Sequence, residues 1–84
     1  MRSEDVILND KKYSQPSPFW GWVSVAGQNK ISVTNFQTGM QHTVKNNGKQ
    51  VFANLPVRKN DEIYIEGDFL WGKFYEMLLQ EDNQ

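Results

Sequence analysis

The stretch Leu55-Pro56-Val57-Arg58-Lys59-Asn60-Asp61-Glu62-Ile63-Tyr64-Ile65-Glu66-Gly67 constrains the fold of this 84-residue chain more than any other. It opens with the polar run Arg58-Lys59-Asn60-Asp61, whose side chains can satisfy the backbone of a turn. Ile63 and Ile65 then alternate with Glu62, Tyr64 and Glu66, the two-residue period of a strand with one buried face. Gly67 closes that strand at a point where a bulge or tight bend costs little.

The rest of the chain repeats the pattern. Phe19 to Ala26 predicts a strand with Val23 and Val25 on the core face and Trp20 and Trp22 opposite. Gly27-Gln28-Asn29 predicts a turn, and Lys30 to Phe36 a second strand with Ile31 and Val33 inward. Gln37-Thr38-Gly39 turns the chain into Met40–Lys45, and Asn46-Asn47-Gly48 predicts a tight hairpin, because Asn-Gly supplies positive φ angles. Gln50–Ala53 follows, then a loop over Asn54–Asn60 and the strand Glu62–Glu66. Asp68–Lys73 predicts a turn, and Phe74–Gln80 reads as a strand or a short helix, with hairpin logic favouring a strand. Strands at intervals of roughly ten residues, without a convincing amphipathic helix, predict an all-β sandwich or small barrel. The expected organisation is a loosely held N-terminal arm over 1–18, a β-barrel domain over 19–80 and an acidic tail over 81–84. The expected core is Val23, Val25, Ile31, Val33, Val44, Phe52, Ile63, Ile65 and Leu79.

Composition removes several function classes. There is no cysteine, so disulfides, cysteine-based zinc sites and thiol nucleophiles are excluded. The apolar run near the N-terminus is too short for a signal peptide, and no segment approaches membrane-spanning length. A soluble cytoplasmic protein with no membrane partner is the expectation. The net charge of −1 conceals a segregation: Lys11 to Asn60 holds seven basic residues and no acid, while residues 61–84 hold seven acids against Lys73 alone. Such asymmetry creates a basic face unless the two blocks interleave as paired strands and cancel in space.

Gly21-Trp22-Val23, a strand ending in Asn35-Phe36, a glycine turn, and the late Asn60-Asp61-Glu62-Ile63-Tyr64-Ile65-Glu66-Gly67 resemble an oligonucleotide/oligosaccharide-binding (OB) domain over about residues 19–80. The resemblance implies a small five-stranded barrel. Asn60-Asp61 stands where Gly-Asp is usual, and the helix common between the third and fourth strands is missing or reduced to the Asn54–Asn60 loop. In OB domains that bind nucleic acid, a cationic groove meets phosphates and aromatic side chains stack on bases. The residues implied here are Trp20 and Trp22 for stacking, with Lys30, Lys45, Lys49, Arg58 and Lys59 for phosphate. The Trp pair has a second reading, as the plug of one end of the barrel.

Catalysis has little support. His42 is the sole histidine, and no carboxylate stands near it in sequence to orient it as a base. Glu62 and Glu66 share a strand face about 13 Å apart, too far to chelate one ion together. Neither a phosphate-binding glycine loop nor a Cys/His metal spacing is present, so no cofactor is expected. The expectation is a non-enzymatic module that binds single-stranded nucleic acid with little sequence preference. The alternatives are a structural subunit of a viral or surface assembly, self-associating or bound to a protein partner, and a carbohydrate-binding β domain.

Overall fold

The computed structural model describes residues 2–7 and 12–77, without the side chains of Lys12 and Tyr13. The described residues contain five strands and no helix: β1 (Ser3–Asp5), β2 (Lys12–Pro16), β3 (Gly21–Asn35), β4 (Gln41–Val57) and β5 (Glu62–Glu76). They form one antiparallel sheet in the order β1-β5-β3-β4, with β2 on the same edge of β5 as β1. Ser3–Asp5 lie along Lys73–Tyr75 and Lys12–Pro16 along Glu62–Glu66.

Three strands carry the fold, and each is longer than the sequence reading gave it. Phe19–Ala26 and Lys30–Phe36, expected as two strands about a turn, belong almost entirely to one strand, β3. Its middle, Gly27-Gln28-Asn29, is a kink. Between Gly27 and Ile31 the ladder advances four residues on β3 but only two, Phe69 to Gly67, on β5. Between Ala26 and Gly27 the surplus passes to β5, which runs from Trp71 to Phe69. Extra residues in one strand of a pair bend it and increase its twist. Asp68–Lys73, expected as a turn, is this irregular middle of β5, and the chain stays a strand to Glu76.

Two glycines permit the kink. Gly67 has a φ of +126°, and a Cβ there would stand 2.6 Å from the carbonyl oxygen of Lys30. A Cβ on Gly27 would stand 2.8 Å from Cβ of Ile31 and 3.0 Å from the carbonyl oxygen of Asp68. β3 and β5 thus touch backbone to backbone at the bend, which only residues without side chains allow.

The bend rolls the sheet over its own core. Trp22 is the register partner of Pro56, yet Asn35, thirteen residues further along β3, reaches the carbonyl oxygen of Pro56 with Nδ2 at 3.5 Å. A straight strand would separate Trp22 from Asn35 by about 43 Å. Within β4, His42 Nδ1 lies 3.1 Å from both the N and the O of Asn54. The rolled sheet does not close into a barrel, and β4 remains an edge strand. Pro56, which has no N–H to give a ladder, sits on that edge strand, where proline is tolerated.

The interior holds Val23, Val25, Ile31 and Val33 from β3, Val51, Ala53, Leu55 and Val57 from β4, and Ile63, Ile65 and Phe74 from β5, closed by Val6 and Phe19. Along β5 the inward positions change from odd numbers to even ones across the extra residue, as a one-residue slip requires. Val44 is only partly buried, and Leu79 lies outside the described residues. Phe52, expected in the core, is 51% exposed, because Val51 and Ala53 take the inward positions on either side of it.

Asn46-Asn47-Gly48 is not a hairpin turn. Between Gln28 and Lys30 the β3–β4 ladder advances two residues on β3 and five on β4, from Gln50 to Lys45. The three extra residues bulge out of β4, held where the Gly48 N–H donates to Asn29 Oδ1 at 2.7 Å. Gly48 does have a positive φ, +79°, and Asn29 another, +70°. The true β3–β4 turn is Phe36–Met40, where Gly39 has φ +77° and Gly39 N–H donates to the carbonyl of Asn35.

Gly67→Ala should destabilise the protein by more than about 2 kcal/mol, from backbone strain and the encroachment on Lys30. Gly48→Ala faces open space and should cost only about 1 kcal/mol, from φ alone. Urea unfolding midpoints of the two variants would check the order. Phe52→Ala should lower the midpoint far less than the roughly 3–5 kcal/mol of a buried phenylalanine.

Candidate nucleic-acid interface

The outer face of the sheet between its N-terminal end and the bend is built from three cross-strand rows. In the first, Trp22 is flanked by Pro56 on β4 and Tyr75 on β5. The Trp22 and Tyr75 rings stack with centroids 5.5 Å apart and an interplanar angle of 25°. In the third, Ala26 is flanked by Phe52 and Trp71. Those rings meet edge to face across it, centroids 6.2 Å apart, and Ala26 is fully buried beneath them. The small side chain at Ala26 lets two large ones converge. Between the aromatic rows lies a polar one, with Asn54 on β4, Ser24 on β3 and Lys73 on β5, and the Ser24 hydroxyl hydrogen-bonded to Asn54 Oδ1.

Phe52 and Trp71 remain 51% and 43% exposed, and Leu70 beside them is exposed as well. Phe52 and Trp71 thus set two large rings side by side on an open sheet face. The rows of Trp22 and Ala26 are four residues apart, about 13 Å by strand rise.

The residues singled out from the sequence fall into separate groups around this face. Trp22 belongs to it. Trp20 precedes β3 and is 51% exposed, lining a shallow apolar cleft of about 250 Å³ with Met40, Pro56, Val57, Arg58 and Met77. Lys59 is exposed in the turn after β4, next to Arg58. Lys30 and Lys45 are direct cross-strand partners beyond the other end of the face, and Lys49 stands in the β4 bulge beside them. The cations therefore bracket the aromatic rows along β4. Gln50 to Arg58 is eight residues, or about 26 Å.

The sequence segregation of charge is partly cancelled in space. Lys30 shares an open cleft of about 430 Å³ with Glu66 and Asp68, alongside Ser32, Gln41 and Thr43. This happens because β3 pairs with β5, bringing Lys30 beside Gly67 at the bend. Among the described residues no group of three or more His, Asp or Glu is placed to hold a metal ion.

Asp61, which the sequence places in a polar turn whose side chains satisfy the backbone, is only 4% exposed and ties that turn together. Its Oδ2 accepts from Asn35 Nδ2 at 2.9 Å, from the Arg58 N–H at 2.9 Å and from Arg58 Nε at 3.3 Å. Its backbone carbonyl accepts from the Ser17 N–H, and Asn60, at φ +74°, donates to the Ser17 carbonyl. Burial pushes the Asp61 carboxyl up, but the hydrogen bonds from Asn35 and Arg58 outweigh it and hold the group below its ordinary value. Arg58 is accordingly a cation already engaged with a carboxylate.

Phe52, Asn54, Pro56, Trp71, Lys73 and Tyr75 are the members of the face that the sequence reading did not assign to it. The alternation Val51, Ala53, Leu55, Val57 carried the signal for Phe52, masked by Pro56. Trp71 had none, since its direction depends on the bulge beside it. His42 uses its ring to cover the Asn54 edge of β4, with Nδ1 against the Asn54 backbone. No helix among the described residues is long and apolar enough to cross a membrane.

A carboxylate held below its ordinary pKa adds stability that is fully present above the unfolded value and is lost as pH falls through the folded value. Urea midpoints should therefore drop below about pH 4, and Asp61→Asn should flatten that drop. At neutral pH the same substitution should cost about 1–3 kcal/mol, by leaving buried donors without their acceptor. Against known protein families, curated proteins and solved structures, the chain finds no match.

Proposed function

We propose that the protein is a non-enzymatic binding module that lays a single nucleic-acid strand along β4, over the outer face of the sheet. The observation that carries this is the pairing of two aromatic rows, Phe52–Trp71 exposed and Trp22–Tyr75 half-buried, with cations beyond both ends, Arg58 and Lys59 on one side, Lys45 and Lys49 on the other. Each base stacked on an aromatic contributes about 1–3 kcal/mol, so two rows weigh as much as several screened phosphate contacts. The ~13 Å between rows is about four times the 3.4 Å rise of a stacked strand. A base that stacks on one of these rings leaves the stack of its neighbours, which a single strand permits and a duplex does not.

The cations contribute unequally. Arg58 is bound to Asp61, and Lys30 faces Glu66 and Asp68 across its cleft. Lys45, Lys49 and Lys59 carry the greater part of the phosphate attraction on this view, and Trp20 and Trp22 are joined by Phe52, Trp71 and Tyr75 as stacking groups. Stacking is tolerant of sequence because every base has a π face.

Titration of a fluorescently labelled (dT) oligonucleotide at several salt concentrations tests the proposal. Affinity should fall with a log–log slope of about −0.7 per phosphate neutralised. Trp71→Ala should weaken binding at every salt concentration by roughly 5- to 100-fold, the loss of one stacked base. Lys45→Ala with Lys49→Ala should flatten the slope by about 1.4 at most. Undetectable binding at low salt, with a concentration-dependent rise in molecular size, would assign the aromatic face to self-association instead.

A further inference from the structure

The β4 bulge carries a reactive dipeptide, Asn47-Gly48. An asparagine followed by glycine is prone to lose its side-chain amide, because glycine has no side chain to obstruct attack by its own nitrogen. Asn47 is the one asparagine of the chain with glycine next to it. A regular ladder would hold the backbone extended and keep that nitrogen from the side-chain carbon. Here the ladder is interrupted: Asn46–Lys49 have no register partner on β3, which pairs Gln28 with Gln50 and Lys30 with Lys45. All four residues are exposed, and no atom stands within 4 Å of where a Cβ on Gly48 would lie. The Gly48 N–H is held instead by Asn29 Oδ1 at 2.7 Å, and Asn29 itself stands at a φ of +70°.

We propose that Asn47 is a site of deamidation and that Asn29 slows the reaction. The Gly48 nitrogen loses its proton and attacks Cγ of Asn47. A C–N bond forms, and the side-chain nitrogen leaves with that proton as ammonia. Water then opens the cyclic imide at either carbonyl, giving aspartate or its β-linked isomer. In net terms a neutral amide and one water become a carboxylate and an ammonium ion. Because the attacking nitrogen gives up its proton, it also gives up the bond to Asn29 Oδ1, and that loss opposes the first step. The product adds a negative charge two residues from Lys45 and two from Lys49, against the attraction those cations exert on phosphate. This effect on binding rests on the nucleic-acid reading of the face; the reaction at Asn47 does not.

Peptide mass spectrometry of the full chain, incubated for days at mildly alkaline pH, tests the site. The peptide carrying Asn47 should gain the mass difference between an amide and an acid and appear as aspartate and isoaspartate forms. Peptides carrying Asn54 and Asn60, which are exposed but lack a following glycine, should stay unchanged. Asn29→Gly removes the acceptor and keeps a residue that tolerates positive φ. It should speed conversion by about 2- to 10-fold, the worth of one hydrogen bond. An unchanged Asn47, or conversion spread evenly over the asparagines, would overturn the site. Equal rates in the wild type and Asn29→Gly would overturn the role of Asn29. Asn47→Asp carries the charge of the product, and Asn47→Ser does not. The Asp variant should bind the (dT) oligonucleotide more weakly at low salt, with a log–log slope flatter by about 0.7 at most. Equal affinities of the two variants would overturn the effect on binding alone. Undetectable (dT) binding by the wild type would overturn that effect together with the proposed function, while the mass measurement still decides the site.

Discussion

The backbone contact between β3 and β5 at the bend is the constraint on which the rest of the structure depends. Lys30 and Ile31 press against Gly67, and Gly27 presses against Asp68, with no side chain between them. A sheet of three strands has two faces, and an 84-residue chain has too few apolar residues to cover both. Folding the sheet over at its middle gives it an interior without a second layer. The hydrophobic gain of burying Val23, Val25, Ile31, Val33 and their partners in β4 and β5 is available only because this crossing is tight.

The ends of the rolled sheet are held by polar groups instead. Asp61 gathers donors from Arg58 and Asn35 at its carboxylate, and its backbone carbonyl is bound to Ser17, so the last residue of β3, the turn before β5 and the segment after β2 meet at one residue. At the opposite end of β5, Arg2 makes a two-point contact with Glu76, through Nε at 3.2 Å and a terminal nitrogen at 2.9 Å, and lies over the Phe19 ring. The second contact is exposed and adds little to stability. The first is buried, and an unpaired donor there is costly. His42, on the bent β4, covers part of the edge that rolling leaves open, which limits pairing with foreign strands.

The same bend decides which side chains become a surface. By ending the regular ladder at Ala26 it lets Phe52 and Trp71 close over that residue, and it turns the two halves of the outer face in different directions. One half carries the aromatic rows. The other carries the polar cleft of Ser32, Thr43, Gln41 and Lys30. A flat sheet would have presented both on one plane, with Lys30 and Lys45 nearer the aromatics.

The sequence by itself determined the all-β class and most inward residues of β3, together with Ile63 and Ile65, because each follows from a two-residue period within a few neighbouring positions. It determined positive φ at Gly48 for the same local reason. It did not determine that Phe19–Ala26 and Lys30–Phe36 are almost wholly one strand, since Gly27-Gln28-Asn29 has the composition of a turn and becomes a kink only when β5 lies against it. Nor could it give the direction of Trp71, which one extra residue in β5 reverses, or the burial of Asp61, whose partner Asn35 is twenty-six residues away. It supplied Trp22 and the lysines of the proposed interface as types without positions. Register and bend are properties of strand pairs, and the energies that choose between registers come from contacts between residues distant in the chain; tertiary structure alone set the aromatic rows side by side.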